Sequence, residues 1–284
     1  MANIQTILED CDLNVSRYES VHGGDINDAY CIYIKTEKYF LKVNDSAKYP
    51  AMFEKEARGL LELKENFDLV APEMIRTGII ENNQYLILSW LERGRPSSDT
   101  MKVFGEKLAH MHLKVKPYYG FIHDNYIGSL QQQNTSCENW DEFFSEHRVL
   151  PLIRLLYDQN LITGKHLKLA DSFLKNINGI FPNEHPSLLH GDLWAGNYMI
   201  TSTSQVAIFD PAVYYGHREM DLGMTKLFGG FGNEFYVGYN DVYPLQQDWQ
   251  KRIAITQLYP LLVHAVLFGG HYIGSALEII DKYG

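Results

Sequence analysis

The sequence predicts an α+β chain, in which a small sheet-rich N-terminal part precedes a larger, mostly helical part. Three observations predict it. Apolar residues alternate with a period of two through much of the first ninety positions. One amphipathic helical segment interrupts those strands. After position 100, the apolar spacing becomes helical. At 284 residues and 45% hydrophobic, the chain can bury a large core in one or two domains.

The elements follow in order. Tyr30, Ile32 and Ile34 alternate, Lys35-Thr36-Glu37 reads as a turn, and Tyr39, Leu41 and Val43 alternate again. This is a hairpin, with Phe40 and Lys42 on the face opposite Leu41 and Val43. Met52 to Asn66 reads as a helix with Phe53, Ala57, Leu60, Leu61 and Lys64 on one side. Gln84 to Leu88 is a further strand and runs into a linker, Ser89 to Gly94. Two domains are therefore expected, 1–90 and 91–284, with ligand in a cleft between them. In the second, Phe104, Leu108, Met111 and Val115 form one helical stripe, and Leu167, Ala170, Phe173, Leu174 and Ile177 form another. Val206 to Phe209 is a short apolar strand ending at Asp210. Ile253 to Phe268 is the longest apolar stretch, interrupted by Thr256, Gln257, Pro260 and His264. It falls short of the roughly 20 residues of a membrane span and reads as a buried helix or helix pair.

The charge excludes some functions. With 25 basic and 35 acidic residues the net is −10, which suits neither generic nucleic-acid binding nor an anionic membrane. Three cysteines, Cys11, Cys31 and Cys137, are too few for a disulfide framework and suit a reducing compartment. The N-terminus lacks a basic stretch followed by an apolar one, so no secretory signal is read there. A soluble, cytoplasmic protein is expected, monomeric or weakly dimeric.

The most informative segment is His190-Gly191-Asp192-Leu193-Trp194-Ala195-Gly196-Asn197. Asp192 and Asn197 lie five positions apart, and Asp210 follows thirteen residues later. ATP-dependent phosphoryl transfer to an alcohol needs this set. One carboxylate, Asp192, orients the acceptor hydroxyl and takes its proton. An amide oxygen, Asn197, and a second carboxylate, Asp210, hold Mg²⁺ against the phosphates. The competing reading is that Asp192 and Asn197 merely form a loop. His190 reads as a packing residue that fixes the loop. In the N-terminal part, Lys42 on its strand and Glu56 on the helix fourteen residues later suit the ion pair that grips α/β-phosphates. Glu54 competes with Glu56 for that place. Gly23-Gly24-Asp25-Ile26-Asn27 reads as a phosphate cover, although a plain turn explains it equally well. Arg218 suits either a substrate contact or a structural salt bridge. Asp221 reads as a helix cap that braces the catalytic loop.

These residues resemble the fructosamine (ketosamine) kinase family, within the aminoglycoside-phosphotransferase and protein-kinase-like superfamily. The resemblance runs from about Gly23 to the C-terminal helices. Leu189 to Asn197 is similar to the family's H-G-D-L-W-x-G-N signature. Gly23 to Asn27 with Ala29 resembles its G-G-x-I-N-x-A loop, and Phe40-Leu41-Lys42 its F-x-K strand. Asp124 to Gly128, Gln133-Asn134, and Trp140 with Phe143, Phe144 and Arg148 resemble its middle run. Phe209 to Ala212 and His217 to Leu222 resemble its metal Asp and the segment after it. Some members carry a Cys in the Gly-rich loop and form redox-controlled dimers. Here that position is Asp25, so that regulation is not carried over.

The resemblance implies a bilobal protein-kinase-like fold: a five-stranded antiparallel sheet with a helix as N-lobe, and a helical C-lobe. It implies ATP under the Gly23–Asn27 loop, adenine against the backbone at Ser89, Trp90 and Leu91, and phosphates on Lys42 held by Glu56. The acceptor implied is the C3 hydroxyl of a ketosamine, either a small molecule or a glycated protein lysine, and the role is deglycation. Trp194 lies against the sugar or in the core. Kinases of aminoglycosides, choline, homoserine or free sugars would share the ATP machinery, and only the middle run separates them. A non-catalytic nucleotide-binding scaffold would be expected to lack Lys42, Asp192 or Asp210.

Overall fold

The computed structural model describes residues 4–10, 13–21, 26–66 and 69–284. The chain divides into two compact units, Met1–Thr100 with Tyr198–Pro211, and Met101–Asn197 with Ala212–Gly284. The first unit thus extends ten residues past the expected boundary and takes back a segment from far along the chain.

The first unit contains α1 (Ile4–Asp10), β1 (Val15–Ser20), β2 (Asp28–Ile34), β3 (Glu37–Asp45), α2 (Met52–Asn66), β4 (Met74–Ile80) and β5 (Asn83–Ser89). The strands form one sheet in the order β1-β2-β3-β5-β4, antiparallel throughout. The expected hairpin is β2–β3, with Tyr30 opposite Leu41 and Ile32 opposite Tyr39. Alternation decides the faces. Ile32, Leu41, Val43, Tyr85 and Ile87 pack with Ile7 of α1 into one buried cluster. Lys42 therefore projects from the other face. α2 packs against β4 and β5, burying Met52, Phe53, Ala57, Leu60 and Leu63. Leu61 and Lys64, expected on that face, are exposed. A stripe through positions 53, 57 and 60 can continue at either 63 or 64, and packing selects Leu63.

The returning segment is an antiparallel hairpin, Tyr198–Ile200 with Val206–Ile208. Ile208 N–H donates to Val70 O at 3.0 Å, and Gly94 N–H donates to Ile200 O at 2.8 Å. Gly94 is required here, because a Cβ would lie 2.1 Å from Thr201 O. These bonds hold Asp210, just past the hairpin, in the same unit as Lys42.

The second unit is helical: α3 (Thr100–His112), α4 (Trp140–Phe144), α5 (Leu150–Asp158), α6 (Gly164–Asn176), α7 (Glu219–Leu227), α8 (Asn233–Val242), α9 (Trp249–Phe268) and α10 (His271–Tyr283). A π turn, Ser145–Val149, joins α4 to α5. Phe104, Leu108 and Met111 are buried, but α3 ends before Val115, which is exposed. The long apolar stretch lies within α9, a mostly buried helix with Pro260 inside it. Among the described residues no helix is long and apolar enough to cross a membrane. Ser187–Leu189 pairs antiparallel with Tyr214–Gly216. That ladder delivers the chain into the His190 loop on one side and out of Ala212–Val213 on the other. Cys31 and Cys137 are free thiols, Cys31 buried, and Cys11 lies outside the described residues.

Candidate active site

In the first unit, Lys42, Glu56 and Asp210 come together. Lys42 is only 5% exposed. Its Nζ donates to Glu56 Oε1 at 2.7 Å and to the Asp210 carboxylate. Burial alone would lower the Lys42 pKa, but the two carboxylates outweigh it and raise it, so the ammonium stays charged. Burial pushes Glu56 up, Lys42 pulls it down, and the like charge of Asp210 adds to the rise; the net direction is upward. Glu54 instead pairs with Arg58 at 2.6 Å on the exposed side of α2, so Glu56 is the partner of Lys42.

Asp210 holds a left-handed backbone with φ +55°. Few residues other than glycine tolerate that region, and strain of this kind gathers at functional sites. Its side chain is 44% exposed, so the carboxylate that meets Lys42 also meets solvent. Two carboxylates on one ammonium leave a surplus negative charge. That donor chemistry fits a hard divalent cation carried by phosphates. Asn27 is half-buried and its Oδ1 accepts from Asn44 Nδ2 at 2.8 Å. Gly23 and Gly24 lie outside the described residues. Ser89, Trp90 and Leu91 form the end of β5 and the chain just after it.

In the second unit, Asp192 and Asn197 are hydrogen-bonded. Asn197 Nδ2 donates to both the Asp192 carbonyl and Asp192 Oδ2, each at 2.9 Å. Both partners only accept, so the amide orientation is decided, and Oδ1 remains as the oxygen available to a cation. Among the described residues no three His, Cys, Asp or Glu side chains gather as a metal cage.

The loop is braced from below. Asp221, buried in α7, accepts from His190 N–H at 2.8 Å through Oδ2 and from Gly191 N–H at 2.9 Å through Oδ1. It does not cap its helix, because α7 has no side-chain cap. Gly191 sits at φ +83°, and a Cβ there would lie 2.0 Å from Ala212 O, so only glycine fits. His190 is fully buried, and its Nδ1 accepts from Asp192 N–H at 3.2 Å. Gly223 lets α7 approach α9, since a Cβ would lie 2.0 Å from Thr256 Oγ1.

A family model for fructosamine kinase matches residues 2–283. The chain belongs to the fructosamine kinase family. It is therefore a phosphotransferase of the kinase type, with a nucleotide as donor. A protein assigned as a probable ketoamine kinase in Vibrio vulnificus is 38% identical over 269 residues, 93% of this chain and 92% of its own. The chloroplastic protein-ribulosamine 3-kinase of Oryza sativa subsp. japonica is 37% identical over 277 residues, 95% of this chain and 79% of its own. The crystal structure of a protein assigned as a fructosamine-3-kinase from Haemophilus somnus matches with a TM-score of 0.88 at 27% identity. That match covers 98% of this chain and 95% of the other. A spectinomycin phosphotransferase, solved with ADP and spectinomycin, shares the fold alone, at a TM-score of 0.62 and 14% identity over 98% and 93% of the two chains.

In this fructosamine kinase family member, two substrate candidates part ways. Arg218 is 1% exposed. Its Nε and Nη2 fork onto Glu184 at 2.8 Å each, Nη1 and Nη2 donate to Tyr243 O and Pro244 O at 2.9 Å, and the guanidinium stacks 3.5 Å over Tyr243. The structural salt bridge accounts for it, and its donors are not offered to a substrate. Trp194 is 37% exposed and edge-on to Phe228 at 5.8 Å. It is not a core residue, and Gly196 makes room for its ring, which a Cβ would meet at 2.3 Å.

The sequence reading missed His112. Its Nδ1 pairs with Tyr239 Oη at 2.8 Å and its Nε2 with Asp221 Oδ2 at 3.2 Å. Burial lowers the His112 pKa against the pull of Asp221, so the ring is neutral, Tyr239 donates to Nδ1 and Nε2–H donates to Asp221. Burial also lowers buried His217. For Asp221, burial raises the pKa, but the His112 Nε2–H bond, the electrostatic pull of His112 and His190, and the Gly191 N–H outweigh it, and the net direction is down.

A histidine lowered by folding stabilises fully above its unfolded pKa, about 6.5, and loses that contribution as pH falls below it. The lowered Asp221 contribution persists to more acid pH and is lost last. The melting temperature is therefore expected to fall from pH 7 to pH 5, less steeply in His112→Gln. A melting temperature flat across that range, read by circular dichroism, would contradict this.

Proposed function

We propose that this chain transfers the γ-phosphoryl group of ATP to the C3 hydroxyl of a ketosamine, the sugar adduct of an amine or lysine. The Lys42–Glu56–Asp210 triad carries the phosphoryl-transfer half of this reading. A buried ammonium, held charged by two carboxylates, is the group that grips α/β-phosphates. The acceptor half rests on the relatives named as ketoamine and ribulosamine kinases.

In this reading Gly23, Gly24 and Asn27 cover the phosphates, and the backbone of Ser89, Trp90 and Leu91 receives the adenine. Asp210 and Asn197 supply Mg²⁺ with oxygen ligands. When bound, Mg²⁺ neutralises the phosphate oxygens as charge moves onto the leaving group. Asp192 Oδ accepts the proton of the acceptor hydroxyl. The hydroxyl oxygen bonds to the γ-phosphorus as the bond to the β–γ bridging oxygen breaks, and ADP leaves. Because that transition state is loose, positioning and charge supply most of the rate. Trp194 offers a flat face to the sugar. Phosphorylation at C3 makes the adduct labile, so the role is protein deglycation in the cytoplasm.

The test is ADP release with Mg²⁺-ATP and a panel of fructosyl-lysine, ribulosyl-lysine, kanamycin, choline and free ribulose. Turnover with a ketosamine, giving a C3 phosphate monoester by phosphorus NMR, is expected. Turnover with another acceptor alone would overturn the ketosamine assignment and leave the kinase machinery standing.

A further inference from the structure

The middle run of the sequence, from Asp124 to Arg148, forms one buried chain of hydrogen bonds that ends against the catalytic loop. Arg148, fully buried, stacks 4.1 Å over Tyr214 and 4.5 Å over Phe143. Its Nη2 donates to Asn134 Oδ1 at 2.7 Å. A guanidinium only donates, so the Asn134 amide has one orientation. Asn134 Nδ2 then donates to Asn125 Oδ1 at 2.9 Å, and Asn125 Nδ2 donates to Val213 O at 2.8 Å. Gln132 Nε2 donates to Asn125 Oδ1 at 2.8 Å and to Ala212 O at 3.0 Å. Gln132 Oε1 is left to accept from Tyr259 Oη at 2.8 Å. Every amide is fixed by its neighbour, and none can flip without setting acceptor against acceptor.

Ala212 is where this chain meets the loop. Its N–H donates to His190 O at 2.9 Å, and its carbonyl oxygen abuts Gly191, where no Cβ fits. Gln132 thus fixes the Ala212 peptide, whose N–H bonds His190 and whose carbonyl oxygen faces Gly191. Asp221 holds those same two residues from the other direction. Burial is the main cause that pushes the Tyr259 phenol up; Arg148 opposes it, and Tyr214 and then Asp192 add smaller contributions to the rise. The phenol proton is committed to Gln132.

We infer that Gln132 and Tyr259, fixed by Arg148 through Asn134 and Asn125, are positioning residues that set the backbone from which Asp192 projects. This rests on Asp192 being the residue that receives the acceptor proton. The two residues touch neither nucleotide nor acceptor in this role. A displaced catalytic group costs rate out of proportion to the displacement, so loosening Ala212 should slow the chemical step and spare nucleotide binding.

The test uses the full chain with Mg²⁺-ATP and the acceptor it turns over, comparing Tyr259→Phe, Gln132→Met and the double variant. Tyr259→Phe removes one hydroxyl and is the variant expected to fold. It should lower kcat about 10-fold with KM for ATP within about two-fold. The double variant should be no slower than Gln132→Met alone, because both act through one chain. Wild-type kcat in Tyr259→Phe would overturn the inference. So would losses that multiply in the double variant, or kcat, ATP affinity and melting temperature falling together, which is fold support alone. An active enzyme whose Asp192→Asn form is unimpaired would remove Asp192 from the chemistry, and the positioning role with it.

Discussion

Asp192→Asn is expected to lower turnover by about 10²–10⁴, the usual worth of a positioned acid or base, with Mg²⁺-ATP affinity little changed. Asparagine is the sharper substitution. Its oxygen can still accept from Asn197 Nδ2, as Asp192 Oδ2 does at 2.9 Å. The loop keeps its braces from Asp221 and from Ala212. What is lost is the ability to take a proton. Asp192→Ala loses that ability and one hydrogen bond of Asn197 as well. If Asp192 served only to shape the loop, the asparagine form would be nearly wild type and the alanine form impaired. If it receives the hydroxyl proton, both fall by a similar large factor. Steady-state kcat on the accepted ketosamine separates the cases, and an asparagine form within a few-fold of wild type would contradict the proposed role.

What could be read from the sequence follows the range over which each signal acts. Lys42 was legible because alternation is local. Leu41 and Val43 mark one face of β3, so their neighbour must take the other. The choice between Glu54 and Glu56 stayed open in the sequence and was decided by the fold: Glu56 lies three residues after Phe53, on the side of α2 that packs on the sheet, whereas Glu54 turns to solvent and Arg58. That Leu63, rather than Leu61 and Lys64, carries the stripe on was not legible, because a 3.6-residue period leaves its continuation ambiguous until a partner surface decides it. Arg218 and Asp221 are longer-range cases. The partner of Arg218 is Glu184, thirty-four residues earlier, and His112 lies 109 residues before Asp221. No local pattern announces either pair. The hairpin at 198–208 was read only as one apolar strand. Its return to the first unit depends on Val70 and Gly94, neither of which carries a period. The middle run marked the resemblance, but its work as a chain of oriented amides is visible only once Asn125, Gln132, Asn134, Arg148 and Tyr259 have been brought together.

Asp210→Asn should abolish most of the Mg²⁺ dependence of ATP binding. In the native chain the Lys42 ammonium is shared by Glu56 and Asp210, and the surplus negative charge repels a bare triphosphate. Mg²⁺ reverses that sign, because a hard cation prefers carboxylate oxygen to an amide oxygen. The native protein is therefore expected to bind ATP weakly in EDTA and tightly with Mg²⁺. The variant keeps an oxygen at position 210 but loses its charge. Lys42 retains Glu56, whose carboxyl is no longer pushed up by a charged neighbour, so the phosphate grip itself survives. ATP affinity in EDTA should then equal or exceed that of the native protein, while affinity with Mg²⁺ falls about 10-fold or more, the loss of one charge-assisted ligand. Asparagine tolerates the left-handed backbone at this position as aspartate does, so the change in binding is not a change in fold. Calorimetry under both conditions reads the two affinities directly. Equal losses with and without Mg²⁺ would mean that Asp210 only steadies Lys42. Unchanged affinity with Mg²⁺ would remove Asp210 from the metal site.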